Sequence, residues 1–281
     1  DRGLLEKDSV LGNALVDMYA KCGLLAKALE VCEELPLQDV VSWSALIAAY
    51  AQQGQAHEAL NCFERMKSAG VEPNVVTLIC TLKACGSAGA LDNGKQIHEE
   101  IVSNGLLWKD PMLGNALVDM YAKCGSVFKA QQVFNKLVVQ DVVSWTIILS
   151  GYVQIGDGNN ISLTLERMLY VGIKPDDVTF TVLLSACSQT GLMNKSHMYM
   201  HDMYTYHGVG ANLKHHTCII DMFGRVGRLD LALITIDKMP FPPNLVVWHS
   251  VLESCKKLGN VELGKSVFEH TLNLDEKMST D

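Results

Sequence analysis

The stretch GNALVDMYAKCG, Gly12 to Gly23, recurs letter for letter from Gly114 to Gly125, 102 residues further along the chain. A second stretch, DVVSW, begins at Asp39 and returns at Asp141 with the same displacement. Because two separate stretches share one displacement, a unit of 102 residues has been duplicated.

Eight glycines divide the chain into segments shorter than the duplicated unit. Each of them follows an apolar run with helical spacing. Their successive spacings are 31, 35, 36, 31, 35, 36 and 32 residues. A period of this size, run through twice, is typical of an array of stacked helical hairpins. The eight are Gly23, Gly54, Gly89, Gly125, Gly156, Gly191, Gly227 and Gly259.

The first hairpin shows why its neighbours must stack on it. Leu11, Leu15 and Met18 stand at i, i+4 and i+7, which places them on one apolar face of the first helix. Ala28 and Leu29 continue the pattern in the second helix. Neither helix can bury its stripe alone, so apolar burial between hairpins, at about 25 cal/mol per Å², must hold the array together. The expected fold is therefore an all-α superhelix, a solenoid of helical hairpins.

One predicted helix has an unfavourable start. The chain reads Gly156-Asp157-Gly158-Asn159-Asn160 where strong helix formers are expected. Glycine costs about 1 kcal/mol relative to alanine in a helix interior, and asparagine is also a weak helix former. We therefore expect this hairpin to be the least well ordered.

Composition narrows the class of protein. With 48% hydrophobic residues the chain is too apolar for disorder, and no apolar run approaches the roughly 18 residues of a membrane span. The nine cysteines include no C-x-x-C pair, which favours packing residues in a reducing compartment over a disulfide or metal framework. The net charge of −8 argues against bulk electrostatic binding of nucleic acid, so any such recognition must depend on local geometry.

Units of 31, 35 and 36 residues follow one another in a fixed order, with VVSW opening the 35-residue unit and GNALVDMYAKCG inside the 31-residue unit. This pattern resembles plant pentatricopeptide repeat (PPR) proteins of the PLS subclass. The closing segment, Val246 to Lys265, is similar to that subclass's E-type motif. The resemblance implies the end of a truncated repeat at 1–8, S-type repeats at 9–39, 111–141 and 213–244, P-type repeats at 40–74 and 142–176, L-type repeats at 75–110 and 177–212, and an E-type motif at 245–278.

The resemblance implies sequence-specific binding of single-stranded RNA, with one base per hairpin and the N-terminal hairpins toward the 5′ end. In the family, the fifth and last residues of a repeat meet the base edge, and the second residue packs against the face of the base. The implied base-reading pairs are Asn13 with Asp39, Ser44 with Asn74, Asn115 with Asp141, Thr146 with Asp176, Thr181 with Asn212, and Thr217 with Asn244. The implied sandwiching residues are Val10, Val41, Val76, Met112, Val143 and Val178, whereas Lys214 breaks this pattern.

These pairs imply the target 5′-UANUGNA-3′. Asn with Asp is the family's uridine pair, Ser or Thr with Asn its adenine pair, and Thr with Asp its guanine pair; the L-type repeats are left as N. Simpler roles remain open for two groups. Val41 and Val143 could belong to the hairpin core, and the Asn and Asp residues of the uridine pairs could act only as helix caps.

A column of cations partly offsets the unfavourable net charge. Lys21, Lys123 and Arg225 occupy the same place in the three shortest units, and Lys257 occupies it in the terminal hairpin. The place lies eleven residues, almost three helical turns, beyond the sandwiching residue, so these cations share its face. We expect them to contact RNA phosphates, although solvated surface cations in a duplicated sequence are the simpler alternative.

Signatures of catalysis are incomplete. His98-Glu99-Glu100 matches the H-x-E of zinc deaminases, but no P-C-x-x-C follows, and His197 with His201 lacks the glutamate of H-E-x-x-H. We expect no catalytic centre, no cofactor and no metal in this chain, and neither a membrane nor a small-molecule substrate as partner. Any deamination would require a DYW-type domain missing from this chain or an editing partner acting in trans.

The resemblance implies a specificity factor for C-to-U editing or other RNA processing in the mitochondrion or the chloroplast. A tetratricopeptide-like scaffold for protein interaction is one rival, which uniform 34-residue units would favour and the alternating lengths count against. A truncated, non-functional copy is another rival, which the sequence leaves open.

Overall fold

The computed structural model describes residues 9–35, 38–107 and 110–278. Over these residues the secondary structure consists of 16 helices and includes no strand, which confirms the all-α class. In chain order they are α1 (Ser9–Lys21), α2 (Leu25–Glu34), α3 (Val40–Gln52), α4 (Ala56–Ser68), α5 (Val75–Ala88), α6 (Leu91–Ser103), α7 (Pro111–Lys123), α8 (Val127–Phe134), α9 (Val142–Gln154), α10 (Gly158–Tyr170), α11 (Asp177–Thr190), α12 (Met193–Thr205), α13 (Leu213–Arg225), α14 (Leu229–Asp237), α15 (Leu245–Leu258) and α16 (Val261–Met278). Among the described residues, none of the helices combines the length and apolar character that a membrane span requires.

The chain forms two compact units, Asp1–Gly151 and Tyr152–Asp281. In the first unit, successive helices pair as the hairpins α1–α2, α3–α4, α5–α6 and α7–α8, and the first helices α1, α3, α5 and α7 pack on one another in that order. In the second unit, α11–α12, α13–α14 and α15–α16 form hairpins, and α11, α13 and α15 pack in order. Each unit is thus built by repeated stacking of like elements.

The duplicated stretch shows that burial depends on the neighbouring hairpin. Leu113 and Met120 of α7 are fully buried, because α7 packs against α5 and α6 as well as against α8. Their counterparts in α1, Leu11 and Met18, are 41% and 43% exposed, and no described hairpin precedes α1. The face predicted to be buried from its spacing is therefore buried in α7 but not in α1. Much of the core of this fold lies between hairpins.

Glycines serve two different purposes in the hairpins. The eight glycines that divide the sequence into repeats all have φ between 66° and 79°, the left-handed conformation in which a first helix ends and its turn begins. Gly114 instead permits a close approach, because a Cβ at this position would lie 2.5 Å from Leu137 Cδ2. A Cβ at Gly12 would meet Leu35 in the same way. The first glycine of the duplicated stretch therefore lets a leucine that follows the second helix pack closely against the first helix.

Helix α10 forms in spite of its start. Asp157 caps it, accepting hydrogen bonds from Asn160 N at 3.1 Å and from Asn160 Nδ2 at 2.7 Å. The second helices α2, α4, α6 and α8 have no such side-chain cap. With it, α10 reaches 13 residues, as many as α4 and α6. A regular helix therefore forms here, because the cap offsets the weak helix formers. That this hairpin is the least well ordered stays a prediction.

Candidate nucleic-acid interface

The last residue of each repeat predicted from the sequence lies at the start of the next first helix. There its side chain accepts hydrogen bonds from backbone N–H groups that the helix leaves unpaired. The N-cap residues are Asp39, Asn74, Asp110, Asp176, Asn212 and Asn244. Asp141 accepts in the same way from Ser144 N at 2.9 Å. A capping role is therefore present in every one of these residues.

Asp39 combines the cap with a contact to its partner. Its Oδ1 accepts from Val41 N at 2.9 Å and from Ser42 N at 3.1 Å, while its Oδ2 accepts from Asn13 Nδ2 at 2.8 Å. Capping and pairing are therefore compatible, because they use different oxygens. Burial by itself would raise the pKa of Asp39, but hydrogen bonds from the Ser42 backbone and the Asn13 amide outweigh it and lower that pKa.

Asn115 and Asp141 form the same pair, except that Asp141 Oδ1 accepts both the capping hydrogen bond from Ser144 N and the hydrogen bond from Asn115. Asn115 Nδ2 donates to Asp141 Oδ1 over 3.5 Å, a long hydrogen bond. In both pairs the amide oxygen, Oδ1 of Asn13 or of Asn115, is buried and has no hydrogen-bond partner within the described part of the chain. Because buried acceptors are nearly always satisfied, these two oxygens stand out among the described residues.

Ser44 and Asn74 are connected through a third side chain. Ser44 Oγ lies 2.6 Å from Thr77 Oγ1, and Thr77 Oγ1 donates to Asn74 Oδ1 over 2.9 Å. Thr77 N also donates to Asn74 Oδ1, at 2.9 Å. Sequence reasoning assigned no role to Thr77, although its place three residues after an N-cap is a known signal for a capping contact.

In the second unit, four of the predicted base-reading residues line one open groove of about 820 Å³. These are Thr181, Asn212, Thr217 and Asn244, and Lys214, Val246, Asp177 and Asp221 also line the groove. Burial, with the nearby Asp221 carboxylate, raises the pKa of the Cys218 thiol to about 11, so this thiol adds no charge to the wall near neutral pH. The groove is large enough for a nucleobase, and both signs of charge border it.

The predicted threonine readers hold their hydroxyl protons within their own helix. Thr181 Oγ1 donates to Asp177 O at 2.9 Å and Thr217 Oγ1 donates to Leu213 O at 2.8 Å. Thr146 Oγ1, in the first unit, donates likewise to Val142 O at 2.8 Å. In Thr181 and Thr217 the hydroxyl oxygen therefore has lone pairs, but no proton, to offer to a ligand.

The predicted sandwiching residues are all exposed aliphatic side chains. Their exposed fractions lie between 51% and 74%, and they are Val10, Val41, Val76, Met112, Val143 and Val178. For Val41 and Val143 the alternative of ordinary hairpin core is wrong. Val246 is equally exposed at the corresponding place in the terminal hairpin, where the sequence reasoning named no residue. Its position directly after the opening residue of that hairpin was the available signal.

Each predicted phosphate-contacting cation is paired with a carboxylate one helical turn earlier. Lys21 Nζ lies 2.7 Å from Asp17, Lys123 Nζ lies 2.7 Å from Asp119, and Arg225 Nε lies 2.7 Å from Asp221. Lys257 lies 3.9 Å from Glu253. The sequence carried this signal as an acidic residue four positions before each cation, which sequence reasoning passed over. The side chains of these cations are exposed, yet they are not isolated charges.

Neither a metal site nor a disulfide is found in the described residues. No group of three His, Cys, Asp or Glu side chains there could hold a metal ion, and the nine cysteines are free thiols. His197 contacts the ring of Phe223, with centroids 6.2 Å apart, and His201 contacts Asp202 at 3.4 Å. The pair of histidines therefore has separate local partners.

Sequence profiles of known families match both units. The PPR repeat family matches residues 38–87 and 140–189, and the PPR repeat matches 13–39, 115–142 and 178–205. In Arabidopsis thaliana, the putative pentatricopeptide repeat-containing protein At1g68930 is 38% identical over 94% of this chain and 36% of its own length. Two others are CRR2, chloroplastic (40% identical, 94% of this chain, 40% of the relative), and the putative At3g11460, mitochondrial (33%, 98% and 44%). This chain thus spans less than half the length of these relatives.

Solved structures share the fold. The crystal structure of PPR10 in complex with an 18-nt psaJ RNA element has a TM-score of 0.73, covering 95% of this chain and 41% of that chain at 17% identity. The crystal structure of PPR10 from maize has a TM-score of 0.53 and covers 98% of this chain and 45% of that chain. The profile matches, which together cover residues 13–87 and 115–205, establish that the chain belongs to the pentatricopeptide repeat family.

Proposed function

We propose that this chain binds single-stranded RNA sequence-specifically, with each hairpin taking one base and the N-terminal hairpins toward the 5′ end. The observation that carries the proposal is the repeated Asn–Asp contact, in which Asn13 and Asn115 each keep a buried, unpartnered amide oxygen within the described part of the chain. That the fold neighbour PPR10 was solved in complex with RNA supports the same conclusion.

The free oxygen of Asn13 suits uracil. Asp39 takes one N–H of the Asn13 amide, which fixes the amide with Oδ1 available as an acceptor. Uracil offers its N3–H to such an acceptor, whereas cytosine N3 and adenine N1 are themselves acceptors and would leave the oxygen unsatisfied. The exposed side chains of Val10 and Val41 can pack on the two faces of that base. Asn115 with Asp141 takes the fourth base by the same chemistry.

The adenine pairs present the complementary pattern. Asn244 Oδ1 accepts from Val247 N at 3.1 Å, which leaves the Nδ2 group as the donor for a base. Thr217 supplies an acceptor, since its proton is given to Leu213 O. An acceptor beside a donor matches the N6 amino group and N1 of adenine, whereas guanine offers O6 and N1–H in the opposite sense. Ser44 with Asn74 takes the second base in this way.

The repeat boundaries, the RNA target and the phosphate contacts follow from the repeat types. We propose the S-, P- and L-type boundaries given above with an E-type motif at 245–278, the target 5′-UANUGNA-3′, and phosphate contacts by Lys21, Lys123, Arg225 and Lys257. The biological role proposed is that of a specificity factor for organellar RNA editing or processing, with any deaminase supplied by another domain or in trans. Relatives named chloroplastic and mitochondrial support an organellar setting.

A titration of the purified chain against 5′-UANUGNA-3′ RNA and its single-base variants, at one moderate salt concentration, tests the proposal. Replacing U by C at the first or fourth base is expected to weaken binding about tenfold, equivalent to ~1.4 kcal/mol. Changes at the third and sixth bases should leave affinity unchanged. An RNA of scrambled order serves as control, and equal affinity for every RNA would contradict the proposal.

A further inference from the structure

Thr77 links the two predicted readers of the second base, although it belongs to the following hairpin. Thr77 and Ser44 are both buried, and their hydroxyl oxygens lie 2.6 Å apart across the packed pair α3 and α5. The same Thr77 hydroxyl lies 2.9 Å from Asn74 Oδ1. One side chain therefore contacts both members of the pair.

Counting protons fixes the direction of each hydrogen bond. Asn74 Oδ1 can only accept, so the single Thr77 hydroxyl proton goes to it. The Ser44 hydroxyl must then be the donor in its contact with Thr77. As a result Ser44 Oγ has lone pairs alone to offer outward. Asn74 Oδ1, held by two donors of Thr77, turns its Nδ2 group away from the cap.

Ser44 depends on this contact more than the threonine readers do. Thr217 gives its proton to Leu213 O in its own helix, and its γ-methyl group restricts χ1. Serine has no γ-methyl group, so its hydroxyl can point in several directions unless a partner holds it. Val247, which stands where Thr77 stands but follows Asn244, has no hydroxyl at all. The second base is thus a position where a third residue sets the pattern of donors and acceptors.

We propose that Thr77 is a positioning residue for recognition of the second base: by fixing the Ser44 proton and the Asn74 amide, it makes the pair present an acceptor and a donor, which favours adenine over guanine. The inference rests on the proposed function. It adds that recognition of one base is shared between two consecutive hairpins.

The test compares Thr77→Val with Thr81→Val in titrations against RNAs carrying A or G at the second base. Thr81 is a matched control, since it is buried on the same helix and its hydroxyl donates to Thr77 O at 2.8 Å instead of to Ser44 or Asn74. Thr77→Val is expected to lower the A-to-G affinity ratio at least about fivefold, while Thr81→Val keeps it. The U-to-C ratios at the first and fourth bases should be unchanged in both.

Thr77→Ser, which restores a hydroxyl, should recover most of the A-to-G ratio, a result that a purely structural role would not produce. If Thr77→Val keeps the wild-type A-to-G affinity ratio, or lowers the affinity for all RNAs by the same factor, the positioning role is overturned. Loss of the ratio in Thr77→Ser as well would also overturn it. A wild-type chain without base preference at any position would instead refute the proposed function itself.

Discussion

Asp39 illustrates, at the scale of a single residue, how two interpretations of one position coexist. A helix cap needs one carboxylate oxygen, and Oδ1 fills this role for Val41 and Ser42. The other oxygen holds the Asn13 amide. From the sequence alone, capping and base recognition are alternatives for Asp39, because a sequence does not show which carboxylate oxygen faces which neighbour.

The lowered pKa of Asp39 leads to a prediction about pH. A carboxyl group whose folded pKa lies below its unfolded value stabilises the fold above the unfolded value, near 3.9. This contribution is lost as pH falls through the folded pKa. Because solvent screens this partly exposed carboxylate, the difference in unfolding free energy between the wild type and Asp39→Asn is expected to be about 1 kcal/mol or less near pH 6, and to shrink steadily below pH 4. Urea denaturation from pH 6 to pH 2.5 measures it.

Asparagine caps a helix as well as aspartate does, so the variant keeps the cap while it loses the charge and the carboxylate oxygen that accepts from the Asn13 amide. Removing the cap is therefore not the cause of any difference observed. A difference that stays constant across the whole pH range would show that the ionised Asp39 carboxylate is not stabilised in the folded chain.

At the scale of helices, the spacing of residues predicted where the turns lie but not which side chains are buried. The eight regularly spaced glycines located the hairpin turns, because a residue in the left-handed conformation ends each first helix irrespective of what packs around it. Burial was less predictable. Leu11 and Leu113 directly precede identical stretches, yet only Leu113 is buried, since the neighbouring hairpin decides it. Thr77 was missed for a related reason: its partner Ser44 is 33 residues away.

The ion pairs along the first helices bear on how phosphates would be bound. Lys123 is held by Asp119 at 2.7 Å, with about half of its side chain exposed, so the cation is kept close to its helix while still reachable. Equivalent pairs exist for Lys21 and Arg225. A cation fixed in this way loses little side-chain freedom when it meets a phosphate, although its carboxylate offsets part of the charge.

Lys123→Gln tests the phosphate contact. If Lys123 neutralises one phosphate, the slope of log affinity against log salt should flatten by about 0.7. Lys27→Gln is the control, because Lys27 is an exposed lysine on the second helix of its hairpin and is not expected to reach RNA. Titrations at four or more salt concentrations give both slopes. Equal slopes for the two variants would place Lys123 outside the RNA contact.

At the scale of the whole molecule, a net charge of −8 sets limits on how RNA is held. Bulk attraction is absent, so the proposed RNA binding depends on local contacts, namely base faces against exposed aliphatic residues, base edges, and the four proposed phosphate-contacting cations. This dependence favours selectivity over non-specific binding. The duplication of 102 residues repeats the Asn–Asp pair, which explains why the first and fourth bases are expected to be the same.

The most direct test of reading by separate hairpins is the U-to-C affinity ratio at the first and fourth bases, measured for wild type and Asp141→Asn. The wild type should prefer U by about tenfold at both positions. In the variant, the newly introduced side-chain amide can donate to Asn115 Oδ1 and cover its acceptor, so the preference at the fourth base should disappear while that at the first base stays. Equal changes at both bases, or no change at either, would contradict one-base-per-hairpin recognition.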